Sequence, residues 1–154
     1  SFFFFILVSG EKVYFIYKTF EQVNYLSFLF LGAKSADESL KIITSADLLL
    51  CLSRECRRQV PSGYYIHTET MGRSALEGIC AGIPVVASRV GGLPQFITDE
   101  YGYLTEPDSP KETACKIIMA INSQRKEITS LSHVWNLYSW DTVFSQYMSI
   151  WNNK

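Results

Sequence analysis

Several common functional classes are excluded by what this sequence lacks. Four cysteines are present, Cys51, Cys56, Cys80 and Cys115, but no two show the paired CxxC spacing of a zinc or redox site. Three of them sit inside apolar runs, so buried, reduced thiols are expected, and a reducing intracellular compartment with them. Neither charge sign is in excess: 14 basic and 15 acidic residues are mixed along the chain, for a formal charge of −1. That balance leaves no electrostatic footprint for nucleic acid or an anionic membrane. The opening SFFFFILVSG is very apolar, yet its apolar run falls far short of the ~20 residues a spanning helix requires. It also lacks the basic lead and small-residue cleavage site of a signal peptide. Internal repeats, low-complexity tracts and domain linkers are absent. What remains is one domain, or a piece of one, in 154 residues of which 47% are apolar. The abrupt apolar start, without cap or polar lead-in, is the start expected of a fragment.

What the sequence does hold is an alternation of strand and helix signals. Phe2 to Val8 is a continuous aromatic and β-branched run closed by Ser9-Gly10, read as a doubly buried parallel strand. From Glu11 the residues Val13, Ile16, Tyr17, Phe20 and Asn24 trace a helical stripe. Phe28 to Leu31 reads as a second strand, after which Ser35 or Asp37 would cap a helix turning Leu40, Ile42 and Ile43 toward a core. Leu48 to Ser53 is another unbroken apolar run. Met71 to Ala81 reads as a helix stopped by Gly82 and Pro84, Pro84 to Ser88 as a strand, and Arg89-Val90-Gly91-Gly92 as a loop. Leu93 to Ile97 is expected to form a short helix and Tyr101 to Leu104 a last strand. Pro110 to Asn122 follows as a helix with Pro110 in its first turn, and Arg125 to Tyr138 as a weaker one. Trp140, Val143, Phe144, Tyr147, Met148 and Trp151 then form an amphipathic stripe, read as packing rather than a cofactor box. The alternation predicts an α/β fold, a Rossmann-like parallel sheet with helices on both faces. In such a sheet ligands gather at the carboxyl ends of the strands, where Ser53 and Gly91-Gly92 would lie.

Arg54 to His67, RECRRQVPSGYYIH, breaks this rhythm. It shows no sustained period, and about fourteen residues make a longer connection than compact domains usually use. A solvated basic insertion accounts for it. Arg54, Arg57 and Arg58 are the alternative, a set of phosphate or substrate contacts.

The stretch from His67 to Gly92 carries the chemistry. Glu69 and Glu77 stand eight positions apart, and on one ideal helix they would diverge by roughly 80° and lie ~12 Å apart, too far to hold one small group. With Glu69 in the loop before the helix and Glu77 in its second turn, they could address the two ends of an extended ligand. Between them would lie the helix amino end, whose free N–H groups favour anionic oxygens, and Gly72, where phosphate can approach the backbone. A carboxylate, a phosphate nest and a second carboxylate match a nucleotide sugar. Simpler readings compete. Ser74-Ala75-Leu76-Glu77 fits a capping box, Arg73 and Glu77 fit a surface ion pair, Gly91-Gly92 fits a plain turn, and His67 fits a loop residue.

In this order the segments FLFLG, SADLLLCLS, ETMGRSALE, AGIPVVASRVGGLPQFI, YGYLTEPDSP and YSW resemble the nucleotide-binding half of retaining glycosyltransferases of the GT-B architecture, the group exemplified by glycogen synthases and bacterial mannosyltransferases. The resemblance covers about Phe2 to Trp151. It implies the C-terminal half of a GT-B fold lacking its first strand, hence a single partial domain over residues 1–154, with the acceptor-binding N-terminal domain absent. It gives Glu69 the place of the catalytic-site glutamate facing the donor sugar. Met71, Gly72 and Arg73 take the turn that contacts sugar and diphosphate, Ser74 the start of the helix behind it, and Glu77 the ribose contact. Val90, Gly91 and Gly92 take the loop closing over the donor. The family's diphosphate-binding arginine and lysine, which precede the segment resembling Phe2 to Val8, are missing from this chain.

The implied activity is hexosyl transfer from a nucleoside diphosphate sugar to a hydroxyl acceptor with retention of configuration, inactive in the isolated chain. No cofactor or metal is expected. The expected partners are the nucleotide sugar and the missing acceptor domain, with no nucleic acid. A cytoplasmic location is expected, with membrane association only through absent parts. Two alternatives stand beside this reading: a nucleotide-sugar epimerase of the same architecture, and a non-catalytic binding module.

Overall fold

A computed structural model of the chain describes residues 2–9, 12–19, 27–31, 34–123 and 132–152. Six strands form one sheet: β1 (Phe2–Ser9), β2 (Lys12–Thr19), β3 (Ser27–Phe30), β4 (Leu48–Cys51), β7 (Val85–Ser88) and β8 (Gly102–Thr105), in the order β3-β2-β1-β4-β7-β8. From β1 through β4 and β7 to β8 the pairing is parallel. Strands β2 and β3 extend the β1 edge antiparallel. The α/β, Rossmann-like architecture is therefore present, with a mixed rather than wholly parallel sheet.

The expected helix after Glu11 is the clearest correction. Lys12–Thr19 is a strand, registered against β1 from Ser9↔Lys12 to Phe2↔Thr19. Val13-Tyr14-Phe15-Ile16-Tyr17 is a run of β-branched and aromatic residues, and that local preference prevails over a stripe that also fits a helical period. Phe20 and Asn24, the end of the stripe, lie outside the described residues, as do the side chains of Phe2 to Val8, whose burial was expected. Of the expected helix from Arg125 to Tyr138, the described part is α4 (Ser132–Leu137).

Helices cover both faces of the parallel strands. On one side lie α1 (Ala36–Ser45) and α2 (Arg73–Cys80), with α4 against α2; on the other lies α3 (Pro110–Asn122). Alternating side chains divide the sheet between two cores, as successive strand residues must. Leu49, Cys51, Val85 and Ala87 join Ile43, Ala75, Leu76 and Ile79 on the α1/α2 side. Leu48, Leu50 and Val86 face Ala120 on the α3 side. Helix α1 begins with a reciprocal capping box, Ser35 Oγ accepting from the Glu38 N–H and the Glu38 carboxylate accepting from the Ser35 N–H. Of the three residues expected to turn inward from α1, Ile43 is buried and Ile42 half-buried, but Leu40 is exposed.

Two further expectations fail. Residues 54–67 are not a loop: β5 (Cys56–Val60) and β6 (Gly63–His67) form a separate antiparallel hairpin, registered from Cys56↔His67 to Val60↔Gly63. Helix α5 (Trp140–Asn152) keeps its apolar stripe but has no buried residue; Trp140 is 87% exposed and Phe144 63%. Periodicity establishes that a helix face is apolar, and says nothing of what covers it. The cysteines also divide: Cys51 is buried and Cys80 half-buried, whereas Cys56 and Cys115 are exposed, and all four are free.

Candidate functional site

The parallel strands share one carboxyl edge, and the segments leaving it build the site. The chain leaves β4 through Leu52 and Ser53, departs into the hairpin, and returns through Thr68 and Glu69 into α2. From β7 it passes through Arg89 and Val90 to Gly91-Gly92, and then into a 3-10 turn, Leu93–Gln95. Strand β8 ends beside it at Thr105, whose carbonyl accepts from the Arg89 N–H at 2.8 Å.

Glu69 lies where these segments meet. One carboxylate oxygen accepts from the Gly72 N–H at 2.9 Å and the other from Ser53 Oγ at 3.3 Å. Its own carbonyl accepts from the Gly92 N–H at 2.9 Å, tying the loop after β7 to the turn before α2. Gly91, at φ +52°, presses against that turn so closely that a Cβ would overlap the Glu69 carbonyl oxygen. Gly72 caps α2 in the left-handed region, φ +68°. Thr68 Oγ1, beside Gly91, is buried and has no hydrogen-bond partner among the described residues.

Helix α2 starts at Arg73, so the capping-box reading of Ser74 and Glu77 does not hold. The cap is Gly72, it makes no side-chain bond, and Glu77 is the fifth helical residue rather than the third. The ion-pair reading does hold: Arg73 Nε lies 3.5 Å from Glu77 Oε1, on a largely exposed guanidinium. Burial pushes the Glu77 carboxyl above its ordinary range, against the opposing pull of Arg73. Ser74 is half-buried behind the helix start, Met71 is exposed, and Val90 is buried under the glycine loop. Burial likewise raises the Cys51 thiol, against the hydroxyls of Ser53 and Ser74.

Chemically, the edge offers a fixed carboxylate, the first-turn amides and positive dipole end of α2, and a second carboxylate within one helix length. Its cations are engaged: Arg89 pairs with Glu106 at 2.9 Å, as Arg73 does with Glu77. Among the described residues no group of three or more His, Cys, Asp or Glu side chains could hold a metal ion. A separate cleft lined by Ile79, Pro84, Asp99, Glu100 and Tyr101 opens at the opposite, amino edge of β7 and β8, and takes no part in this constellation.

With this geometry in place, residues 5–134 match the family model described as glycosyl transferases group 1. The chain belongs to the group 1 glycosyltransferases. It is 33% identical over 122 residues to an uncharacterized glycosyltransferase of Methanocaldococcus jannaschii, covering 78% of this chain and 31% of that protein. It is 27% identical over 129 residues to a D-inositol 3-phosphate glycosyltransferase of Corynebacterium glutamicum, covering 80% of this chain and 28% of that one. A sulfoquinovosyl transferase of Arabidopsis thaliana is 29% identical over 93 residues, 58% of this chain and 16% of that one. The chain thus spans about a third or less of the length of these group 1 relatives, so what the complete protein acts on lies beyond these likenesses.

Sequence reading set Ser53 and Gly91-Gly92 at the carboxyl edge, and Glu69, Gly72, Arg73 and Glu77 around the start of one helix, and the structure has them in those places. It did not reveal that Ser53 holds Glu69, since the partners are sixteen positions apart in the chain, with the hairpin between them. Only the terminal position of Ser53 on an apolar strand signalled it. Nor did it mark the Arg89–Glu106 pair, which closes the β7 and β8 exits across a long sequence gap.

Proposed function

We propose that the complete protein transfers a hexosyl group from a nucleoside diphosphate sugar to a hydroxyl acceptor with retention of configuration, this chain supplying the donor site. The observation that carries the reading is the row formed by Glu69, the amino end of α2 and Glu77, with Gly91-Gly92 bonded onto the Glu69 backbone. Glu77 accepts hydrogen bonds from the ribose hydroxyls, a task suited to a carboxylate whose remaining partner is one exposed arginine. The Arg73 and Ser74 amides and the positive end of α2 take the diphosphate, while Gly72 and Gly91 let Leu93 and the Glu69 turn pack closely beneath it. Glu69 faces the sugar.

In the transfer, the bond from sugar C1 to the diphosphate oxygen breaks and C1 bonds to the acceptor oxygen on the same face. The acceptor proton leaves with the nucleoside diphosphate. Negative charge grows on the departing oxygen, and fixed N–H dipoles aimed there stabilise it without reorganising. The reading gives this task to the amino end of α2 rather than to a metal ion. A relative named for D-inositol 3-phosphate, a polyol, is in keeping with a hydroxyl acceptor. Free cysteines are in keeping with a cytoplasmic location.

The test is binding and hydrolysis of UDP-, GDP- and ADP-sugars by the complete protein. At least one should bind, and Glu77→Ala should abolish that binding. If none binds or is hydrolysed and Glu77→Ala changes nothing, the reading is wrong. An epimerised free nucleotide sugar as sole product would replace transfer by epimerisation.

A further inference from the structure

The β5–β6 hairpin has no role in the donor site, yet it grows out of it. Its two ends are Ser53 and Glu69, which hydrogen-bond to each other, so the chain leaves the carboxyl edge and returns to the same point. A few residues would close that gap. Instead the strands project with nearly every residue exposed, Tyr64 at 74%, Tyr65 at 58% and Ile66 at 51%. A two-stranded hairpin is marginal in water by itself, and this one offers its aromatics to something outside the chain.

The register sorts the hairpin into two faces. Arg58 pairs with Tyr65, and Cys56 with His67, so Arg58, Tyr65 and His67 share one face. The Tyr65 and His67 rings stack there, with centroids 6.4 Å apart and planes 22° apart. The charges differ in their engagement. Arg54 pairs with Asp108 at 3.7 Å and Arg57 with Glu55 at 3.0 Å, whereas Arg58 makes no ion pair among the described residues. An aromatic shelf beside an uncompensated guanidinium fits a hydroxylated ring laid on the shelf, with an anionic group at the arginine. Tyr65 is four residues before Glu69, within ~13 Å along an extended strand.

We propose that this face of the β5–β6 hairpin is an acceptor subsite for a small, soluble phosphorylated polyol or sugar. The proposal rests on the donor reading, because Glu69 marks the sugar end of the donor and Glu77 the nucleoside end. The hairpin rises from the sugar end, where the acceptor hydroxyl must arrive. A bilayer fits less well. The turn between the strands is Pro61-Ser62, without an apolar anchor, and the shelf runs from the middle pair of the hairpin, Arg58 with Tyr65, to the base pair that holds His67.

The experiment uses the complete protein and three variants, Arg58→Ala, Tyr65→Ala and, on the opposite face, Tyr64→Ala. Inositol 3-phosphate, glucose 6-phosphate and their unphosphorylated parents are titrated by calorimetry with a nucleoside diphosphate present, and donor hydrolysis is followed in parallel. A phosphorylated compound should bind better than its parent. Arg58→Ala and Tyr65→Ala should each weaken it tenfold or more, leaving nucleotide affinity and donor hydrolysis within twofold, and Tyr64→Ala should change neither. The proposal is overturned if both variants leave sugar-phosphate binding unchanged, or if all three affect it equally. It is also overturned if they instead reduce binding to phosphatidylglycerol vesicles. Sugar-phosphate binding that responds to Arg58 while no nucleotide binds would sink the donor reading and leave the subsite standing.

Discussion

Gly91→Ala is the sharpest perturbation of the constellation. A methyl group at this position would occupy the space of the Glu69 carbonyl oxygen, and the backbone, at φ +52°, is one that alanine rarely adopts. Left-handed backbone costs alanine about 1–2 kcal/mol. Relief of the overlap requires the glycine loop and the Glu69 turn to part, which loses the Gly92 N–H to Glu69 carbonyl bond, about 0.5–1.5 kcal/mol. The sum is about 1.5–3.5 kcal/mol, or ~3–14 °C in melting midpoint for a domain of this size. Because the parting moves Glu69, nucleotide-sugar affinity should fall with it, by tenfold or more. Thermal unfolding and calorimetric titration of the complete protein measure both. Gly91→Asn separates the causes: asparagine tolerates left-handed backbone but keeps the Cβ, so overlap predicts a loss nearly as large as for alanine. If Gly91→Ala melts within 1 °C of the parent and binds the donor unchanged, the coupling of the two loops is refuted.

Other outcomes follow from the same geometry. Glu77→Gln should weaken nucleotide-sugar binding by about 10–100-fold, the loss of charge-assisted bonds, while leaving folding intact. Burial raises the Glu77 carboxyl, so its ionised form is the one the fold disfavours. The sign is therefore that stability relative to Glu77→Gln is greatest below the ordinary carboxylate pKa and is lost as pH rises through the raised folded value, which parallel urea melts at several pH values will read. Ser53→Ala removes the hydroxyl that holds one Glu69 oxygen and should lower turnover about three- to tenfold, with donor affinity kept. Equal losses in turnover and donor affinity would contradict that positioning role. A thiol reagent at pH 8 should modify Cys56 and Cys115 within minutes and Cys51 only on unfolding, as mass mapping of the labelled protein will show.

Where the sequence was legible, local signals and tertiary packing pointed the same way. Helix α3 runs from Pro110 to Asn122 as its first-turn proline and period predict, and PVVAS becomes β7 because every residue of that strand is buried. It was illegible where two signals competed or none existed. In Lys12–Thr19 a helical stripe and a β-prone composition coexist, and pairing with β1 decided between them. The β5–β6 hairpin carries no alternation of apolar and polar residues, since neither face meets a core, so no period announced its strands. For Ser74 and Glu77 the capping spacing was correct but the helix began at Arg73, and a left-handed glycine did the capping. The site residues themselves stood out through residue type and spacing. Their mutual contacts did not, because Ser53, Glu69 and Gly92 are brought together only by the sheet.

That dependence gives the strand register a second meaning. Strand β7 is held against β4 with Leu49 opposite Val85 and Cys51 opposite Ala87, each in the core that its side chain fits. A one-residue slip would exchange Val85 and Val86 between the two cores, and a two-residue slip would carry Gly92 roughly 6.6 Å past Glu69. The two hydrophobic layers therefore act as the ruler that measures out the carboxyl edge. A conservative change in volume at Val85 or Val86, far from any ligand, should be read at Glu69 as an error of alignment.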